Sequence, residues 1–421
     1  MKVLLVGESD SYGGAARATY RLHQSLLQEG FDSTMLVQQK KRLDGSRVTG
    51  PQGLVDKAIA TINPYLDQIP LGFVRQDANV YFSTGWLSIA LLNGLIKKIQ
   101  PDVIHLNWIC KGAISIGDLG KLNAPIVWTL HDSWPFTGGC HTIVNCDKYL
   151  STCGDCPALN SSINSDLSTF LFRKKSRAYG KIKNLTIVGV SKWISELARN
   201  SSLLGKRKVL TIPNTIDIDT YKPISKNWAK TVLNIDTQRK VILFGGMSSL
   251  DDKNKGFQEL LFSLTQLSLS CPDFLLVVFG SAKPENELSV PFDIQYLGHL
   301  HDDISLNIAY CAADVVVVPS KQESFGQTAS EAMSCGTPVV AFATTGLLDI
   351  VDHKITGYLA TPNDICDLAF GIEWVLQNPN YEALSIASRT KVVNDFSYDV
   401  VSNKYVSLYE EVTRFSSASL V

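Results

Sequence analysis

Residues 314–342 read DVVVVPSKQESFGQTASEAMSCGTPVVAF. The run Val315 to Val318 has no polar face, which suits a strand buried on both sides of a parallel sheet. After a polar, turn-rich stretch the pattern becomes QTASEAMS, a helix-compatible segment that stops at Gly336, and Val339-Val340 open another apolar run. Strand, helix and strand within so short a span need a crossover connection, so this stretch predicts a doubly wound α/β sheet. Ser324, with Gln327 three residues on, has capping-box spacing and predicts that the helix starts at Ser324.

The same rhythm extends in both directions. KVILFGG (240–246), FLLVVFGS (274–281) and IQYLGHL (294–300) precede the motif as short strands separated by helix-length segments. In the first half, KVLLVG (2–7), the turn with Gly13 and Gly14, a helix over 15–30 ending on Gly30, and STMLVQQ (33–39) form a βαβ start. PDVIHLNW (101–108) and PIVWTLHD (125–132) follow, and a helix is expected within STGWLSIALLNGLIKKIQ (83–100). The Pro/Asn/Asp-rich connector at 213–224 is the natural boundary. The expected fold class is therefore α/β, with two Rossmann-like doubly wound domains, 1–213 and 214–400, facing a central crevice, and a C-terminal helix at 401–421 packing back toward the first.

Glu323 stands in the loop after the valine strand, and Glu331 lies eight residues later inside the helix. Backbone N–H groups at a helix start favour phosphate or sugar oxygens, and two spaced carboxylates accept hydrogen bonds from hydroxyls. This set suits a nucleotide-sugar; the plain alternative is a loop charge and a solvated helix residue. Gly13 and Gly14 let backbone approach a diphosphate closely, or form a simple tight turn. Lys255, before Gly256, offers a fixed cation for a leaving diphosphate, whereas Lys253 reads as a solvated loop charge. His131 ends the strand IVWTL, where the carboxyl end of a parallel strand borders the ligand crevice; a core histidine is the alternative.

Composition narrows the partners. The formal net charge of −1 provides no general field for a polyanion, so nucleic acid is not an expected partner. MKVLLVGESD reads as a first strand rather than a leader, and no run of 18 uncharged apolar residues is present, so a cytoplasmic location is expected, with any membrane contact peripheral. Basic runs at 172–183 (FRKKSRAYGKIK) and 205–208 (GKRK) are either solvated faces or a surface for anionic lipid. Four of the nine cysteines, Cys140, Cys146, Cys153 and Cys156, fall in the Gly-rich loop 138–157; their spacing allows a structural zinc site, with His141 able to replace one thiolate, or reduced free thiols.

Taken together, Glu323, Phe325-Gly326, Glu331-Ala332-Met333, Gly336-Thr337-Pro338-Val339-Val340, Gly13-Gly14, His131, Pro213-Asn214 and Lys255-Gly256 resemble the pattern of retaining glycosyltransferases of family 4. The Cys-rich segment after His131-Asp132 is similar to that of a subgroup building bacterial cell-surface polysaccharide. The resemblance implies a GT-B fold, a uridine or guanosine diphosphate sugar donor, no metal or other cofactor needed for the chemistry, and retention at the anomeric carbon. It places the acceptor on the 1–213 side and the nucleotide-sugar on the 214–400 side, with a hexose passing to a saccharide or lipid-linked saccharide. His131 and Glu323 take catalytic positions at the donor sugar, Glu331 contacts the ribose, and Gly13, Gly14, Lys255, Ser324, Phe325 and Gly326 complete the donor site. Many relatives carry Arg five residues before the lysine; here that residue is Leu250. A GT-B sugar-nucleotide epimerase or a non-catalytic sugar-nucleotide-binding protein is the alternative. The spacing of GESDSYGG does not match a dinucleotide fingerprint.

Overall fold

The structure, a computed structural model, describes residues 1–421 apart from 43–44, 75, 78–79, 247–249, 251, 287 and 419–421. The last three lie within the segment 401–421 expected to be helical. Two compact units result, Met1–Pro213 with Val401–Val421, and Asn214–Val400.

Unit 1 is built on a parallel sheet in the order β3-β2-β1-β4-β5-β6-β7. Its strands are β1 (Lys2–Ser9), β2 (Asp32–Gln39), β3 (Val48–Thr49), β4 (Val103–Leu106), β5 (Ile126–Leu130), β6 (Leu185–Gly189) and β7 (Lys208–Thr211). The inner strands β1, β4, β5 and β6 are buried almost throughout, as all-apolar runs require when helices cover both faces. The order reverses between β1 and β4, which opens a crevice at their carboxyl ends. The helix expected within 83–100 spans only Leu91–Ile99. The stretch between β3 and that helix carries a further helix, Leu54–Gln68.

Unit 2 has a six-stranded parallel sheet in the order β10-β9-β8-β11-β12-β13. The strands are β8 (Lys240–Gly245), β9 (Phe274–Phe279), β10 (Asp293–Gly298), β11 (Val315–Val318), β12 (Val339–Phe342) and β13 (Gly357–Ala360). Here the switch point falls between β8 and β11, so the loops after those two strands flank one crevice. Phe244, Leu260, Leu264, Val317, Phe342 and Ile372 belong to its core.

The C-terminal helix Tyr398–Ala418 sends Tyr405, Leu408, Tyr409 and Val412 into the core of unit 1. Its register is set by a buried polar chain: Tyr409 Oη lies 2.7 Å from His105 Nδ1, His105 Nε2 lies 2.7 Å from Thr129 Oγ1, and Thr129 meets the Tyr405 hydroxyl at 2.9 Å. Burial pushes the His105 imidazole down to about 3, so it is a neutral ring with both nitrogens engaged. Tyr409→Phe should therefore cost about 1–3 kcal/mol, because one buried ring nitrogen loses its partner. Urea unfolding of the two proteins checks this, and equal midpoints would show that the helix is held by packing alone.

Candidate functional site

In unit 2 the sequence motif folds into a tight corner. Gly256 adopts φ 72°, and a Cβ there would sit 2.0 Å from the carbonyl oxygen of Pro319. Only glycine lets the loop after β8 press against the end of β11 in this way. That approach carries Lys255 to Glu323: Lys255 Nζ donates to Glu323 Oε1 at 2.7 Å, and the Ser320 hydroxyl donates to the same oxygen at 2.9 Å. Burial alone would lower the Lys255 ammonium, but the Glu323 carboxylate outweighs it and holds the group above its usual value. The loop after β12 clamps the corner from the other side. Glu323 N–H donates to Thr345 Oγ1 at 2.9 Å, and Gly346 N–H donates to the Glu323 carbonyl at 2.9 Å.

The helix that follows starts later than the capping-box spacing predicts. It spans Gln327–Ser334, with Gly326 as N-cap at φ 108° and no side-chain cap. A Cβ on Gly326 would meet Leu347 Cδ2 at 2.8 Å, so tertiary packing selects a left-handed glycine here over a serine cap. Ser324 consequently lies in the loop, half-buried, two residues before the cap. The Phe325 side chain is buried and packs edge-on against Phe396, centroids 5.4 Å apart, so any donor contact at this position falls to its backbone. Glu331 is buried one helix turn deeper, where the Tyr310 hydroxyl donates to Oε2 at 2.7 Å. Sequence reasoning missed Tyr310, since nothing in its own helical surroundings marks it as the partner of a residue 21 positions away. Leu250 packs partly buried against the unit 2 core, and Lys253 is exposed.

Unit 1 carries the other expected residues at strand ends. Gly13, at φ 96°, caps the helix Gly14–Gln28 with no side-chain hydrogen bond. The turn before it is held by Ser9 Oγ, which accepts from Tyr12 N–H, and by the buried Asp10 carboxylate, which accepts from Lys41 and Arg42 N–H. His131 follows β5 and lies 3.0 Å through Nε2 from Asn107 Oδ1 at the end of β4. Burial pushes it down to about 4, with Asp132 opposing. The neutral ring donates through Nε2 and leaves Nδ1 as an acceptor for a ligand hydroxyl.

Beside it lies a network that the sequence did not reveal. His141 Nδ1 sits 2.6 Å from Asp132 Oδ2, His141 Nε2 2.9 Å from Ser83 Oγ, and the Trp108 indole donates to Asp132 at 2.7 Å. Both His141 nitrogens are engaged, so it does not stand in for a thiolate. The four cysteines line one cavity of about 90 Å³. Among the described residues, no group of three or more His, Cys, Asp or Glu side chains is disposed to hold a metal ion. Burial instead raises the thiols, Cys140 to about 11 and Cys153 to about 12, which favours the protonated form. Nor is the basic run 172–183 wholly surface: Lys175 is buried, its ammonium bonded to the carbonyls of Trp134 and Thr137.

Two family models match the chain. The model of Glycosyltransferase Family 4 fits residues 12–220, and that of Glycosyl transferases group 1 fits residues 226–391. The chain belongs to glycosyltransferase family 4. An uncharacterized glycosyltransferase of Methanocaldococcus jannaschii is 28% identical to this family 4 chain over 237 residues, 53% of the chain and 59% of that relative. The match thus spans little more than half the length of that protein. Among solved structures, sucrose-phosphate synthase from Thermosynechococcus elongatus has a TM-score of 0.67 at 19% identity, covering 98% of this chain and 99% of its own. HepE from Anabaena, crystallised with UDP-glucose, has a TM-score of 0.65 at 17% identity, with coverage of 98% and 100%. These similarities establish the GT-B fold of two Rossmann-like units.

Proposed function

We propose that this family 4 chain is a retaining glycosyltransferase that moves a hexose-type sugar from a nucleoside-diphosphate sugar to a saccharide or lipid-linked saccharide, in cell-surface polysaccharide assembly. The observation that carries the reading is the Lys255–Glu323 pair, fixed at the switch point of unit 2 by Gly256 and flanked by Ser320. A diphosphate needs a fixed cation there, and a hexose needs a carboxylate acceptor beside it. With Leu250 apolar and Lys253 exposed, Lys255 carries the leaving-group charge. Glu331 accepts from the ribose hydroxyls, Glu323 accepts from a sugar hydroxyl, and neutral His131 orients another. The acceptor oxygen bonds to the anomeric carbon on the face that the diphosphate leaves, its proton passes to the departing phosphate oxygen, and the nucleoside diphosphate is released. The protein contributes position and electrostatics rather than a nucleophile. The UDP-glucose held by HepE makes a uridine donor the first to test, followed by guanosine.

Purified protein mixed with uridine, guanosine and adenosine diphosphate sugars tests this. One donor class should raise the unfolding temperature and release its nucleoside diphosphate slowly without acceptor. Stabilisation by no donor would overturn the reading. Conversion of the sugar to an epimer with no release of nucleoside diphosphate would replace transfer with epimerisation.

A further inference from the structure

At the amino ends of β4 and β5, on the edge of the unit 1 sheet away from Asn107 and His131, there is a cavity of about 340 Å³. The helix Leu91–Ile99 forms one side of it. Positions 93, 96 and 97 of that helix, with Gln100 just beyond its end, share one face at i, i+3, i+4 and i+7 spacing, and all four line the cavity. Ile104 of β4 and the turn 121–124 before β5 complete the lining. The volume is that of a small-molecule site.

A buried helix face is ordinarily apolar, as Leu92 and Ile96 are here, and Asn93 breaks that pattern. Asn93 is 9% exposed; its Nδ2 donates to the Asp118 carbonyl at 3.3 Å, whereas its buried Oδ1 has no hydrogen-bond partner. Turning the amide over gives no relief, because it sets Oδ1 against the Asp118 carbonyl oxygen. A buried acceptor without a donor is rare in a folded protein and calls for a partner from outside the chain. The charge around the cavity has one sign. Lys97 and Lys121 line it; Lys121 pairs with Asp118 Oδ1 at 2.7 Å, Lys97 has no ion pair among the described residues, and no acidic side chain is in the lining. Ile96, Ile104 and Leu122 supply apolar surface beside these cations.

We propose that this cavity is a second ligand site, which takes an anionic monosaccharide, a pyranose carrying a phosphate or a carboxylate. A ring hydroxyl donates to Asn93 Oδ1, the anion meets Lys97 and Lys121, and the C–H face of the ring lies on Ile96, Ile104 and Leu122. A neutral sugar leaves the lysines without a counter-charge, and a bare anion has no donor for the asparagine. The lining belongs to unit 1 alone, and the test uses no sugar donor, so the inference stands or falls separately from the transfer reading.

Isothermal titration of the full chain with glucose 1-phosphate, glucuronate, glucose and inorganic phosphate tests this. At least one of the two anionic sugars should bind about 10-fold or more tightly than glucose and than inorganic phosphate, and which of them does so names the anion. Asn93→Leu and Lys97→Glu should each weaken that binding about 10-fold or more, whereas Lys255→Ala in unit 2 should leave it unchanged. Asn93→Leu is expected to hold or raise the unfolding midpoint, since it removes a buried acceptor that has no partner. Should that variant fail to fold, Lys97→Glu decides. The proposal is overturned if neither anionic sugar binds, if glucose or inorganic phosphate binds as well as they do, or if binding survives in the folded variants. Loss of binding with Lys255→Ala overturns it too, because the sugar then sits in the donor site.

Discussion

Lys255→Ala is expected to lower turnover of the nucleotide-sugar about 10²–10³-fold, the loss seen when one preorganised charge is taken from a developing anion. The effect should fall on kcat more than on KM, because charge on the leaving diphosphate grows as the glycosidic bond breaks. Stability should change far less. The side chains of Lys255 and Glu323 are 27% and 18% exposed, and Glu323 keeps the Ser320 hydroxyl and the backbone clamp from Thr345 and Gly346 after the lysine is gone. Nucleoside-diphosphate release and thermal unfolding on the same preparation separate the two effects. A loss of turnover under about threefold would remove Lys255 from the leaving-group site; a collapse of the unfolding midpoint would make the pair a structural one. Arginine is not expected to restore full turnover, since its planar, delocalised guanidinium does not reproduce the compact point charge of the ammonium beside Glu323.

Glu331→Gln should raise the KM for the donor about 10- to 100-fold, the worth of one or two hydrogen bonds to a charged acceptor, with kcat changed less. The amide oxygen of glutamine can still accept from the Tyr310 hydroxyl, so the helix Gln327–Ser334 keeps its packing. Isothermal titration with the free nucleoside diphosphate measures the binding part without turnover. Unchanged affinity together with a lowered unfolding midpoint would make Glu331 a buried partner of Tyr310 and nothing more.

The parts of this site that were legible in the sequence are those written in local patterns. Val315 to Val318 announce a buried parallel strand by having no polar face, and the loop position of Glu323 follows from where that run ends. The alternation of short strands and helices in both halves was equally plain, and with it the doubly wound class and the family 4 likeness. The helix start was misread because Ser324 and Gln327 satisfy a local rule that tertiary contact overrides. Leu347 and Ile350 leave room at the cap only for Gly326. Phe325 was expected in the donor site from its place in the motif; its burial against Phe396 is set by a residue far along the chain.

The sequence by itself thus determined the class of fold, the order of its strands along the chain and the loops that end them, because periodicity and turn residues act over a few positions. Only the tertiary structure decided that Lys255 meets Glu323, that Tyr310 holds Glu331 and that His141 is taken by Asp132 and Ser83. Each of these joins residues brought together by sheet topology or close backbone approach. The free energy of such contacts comes from burial and desolvation, which no single stretch of sequence contains.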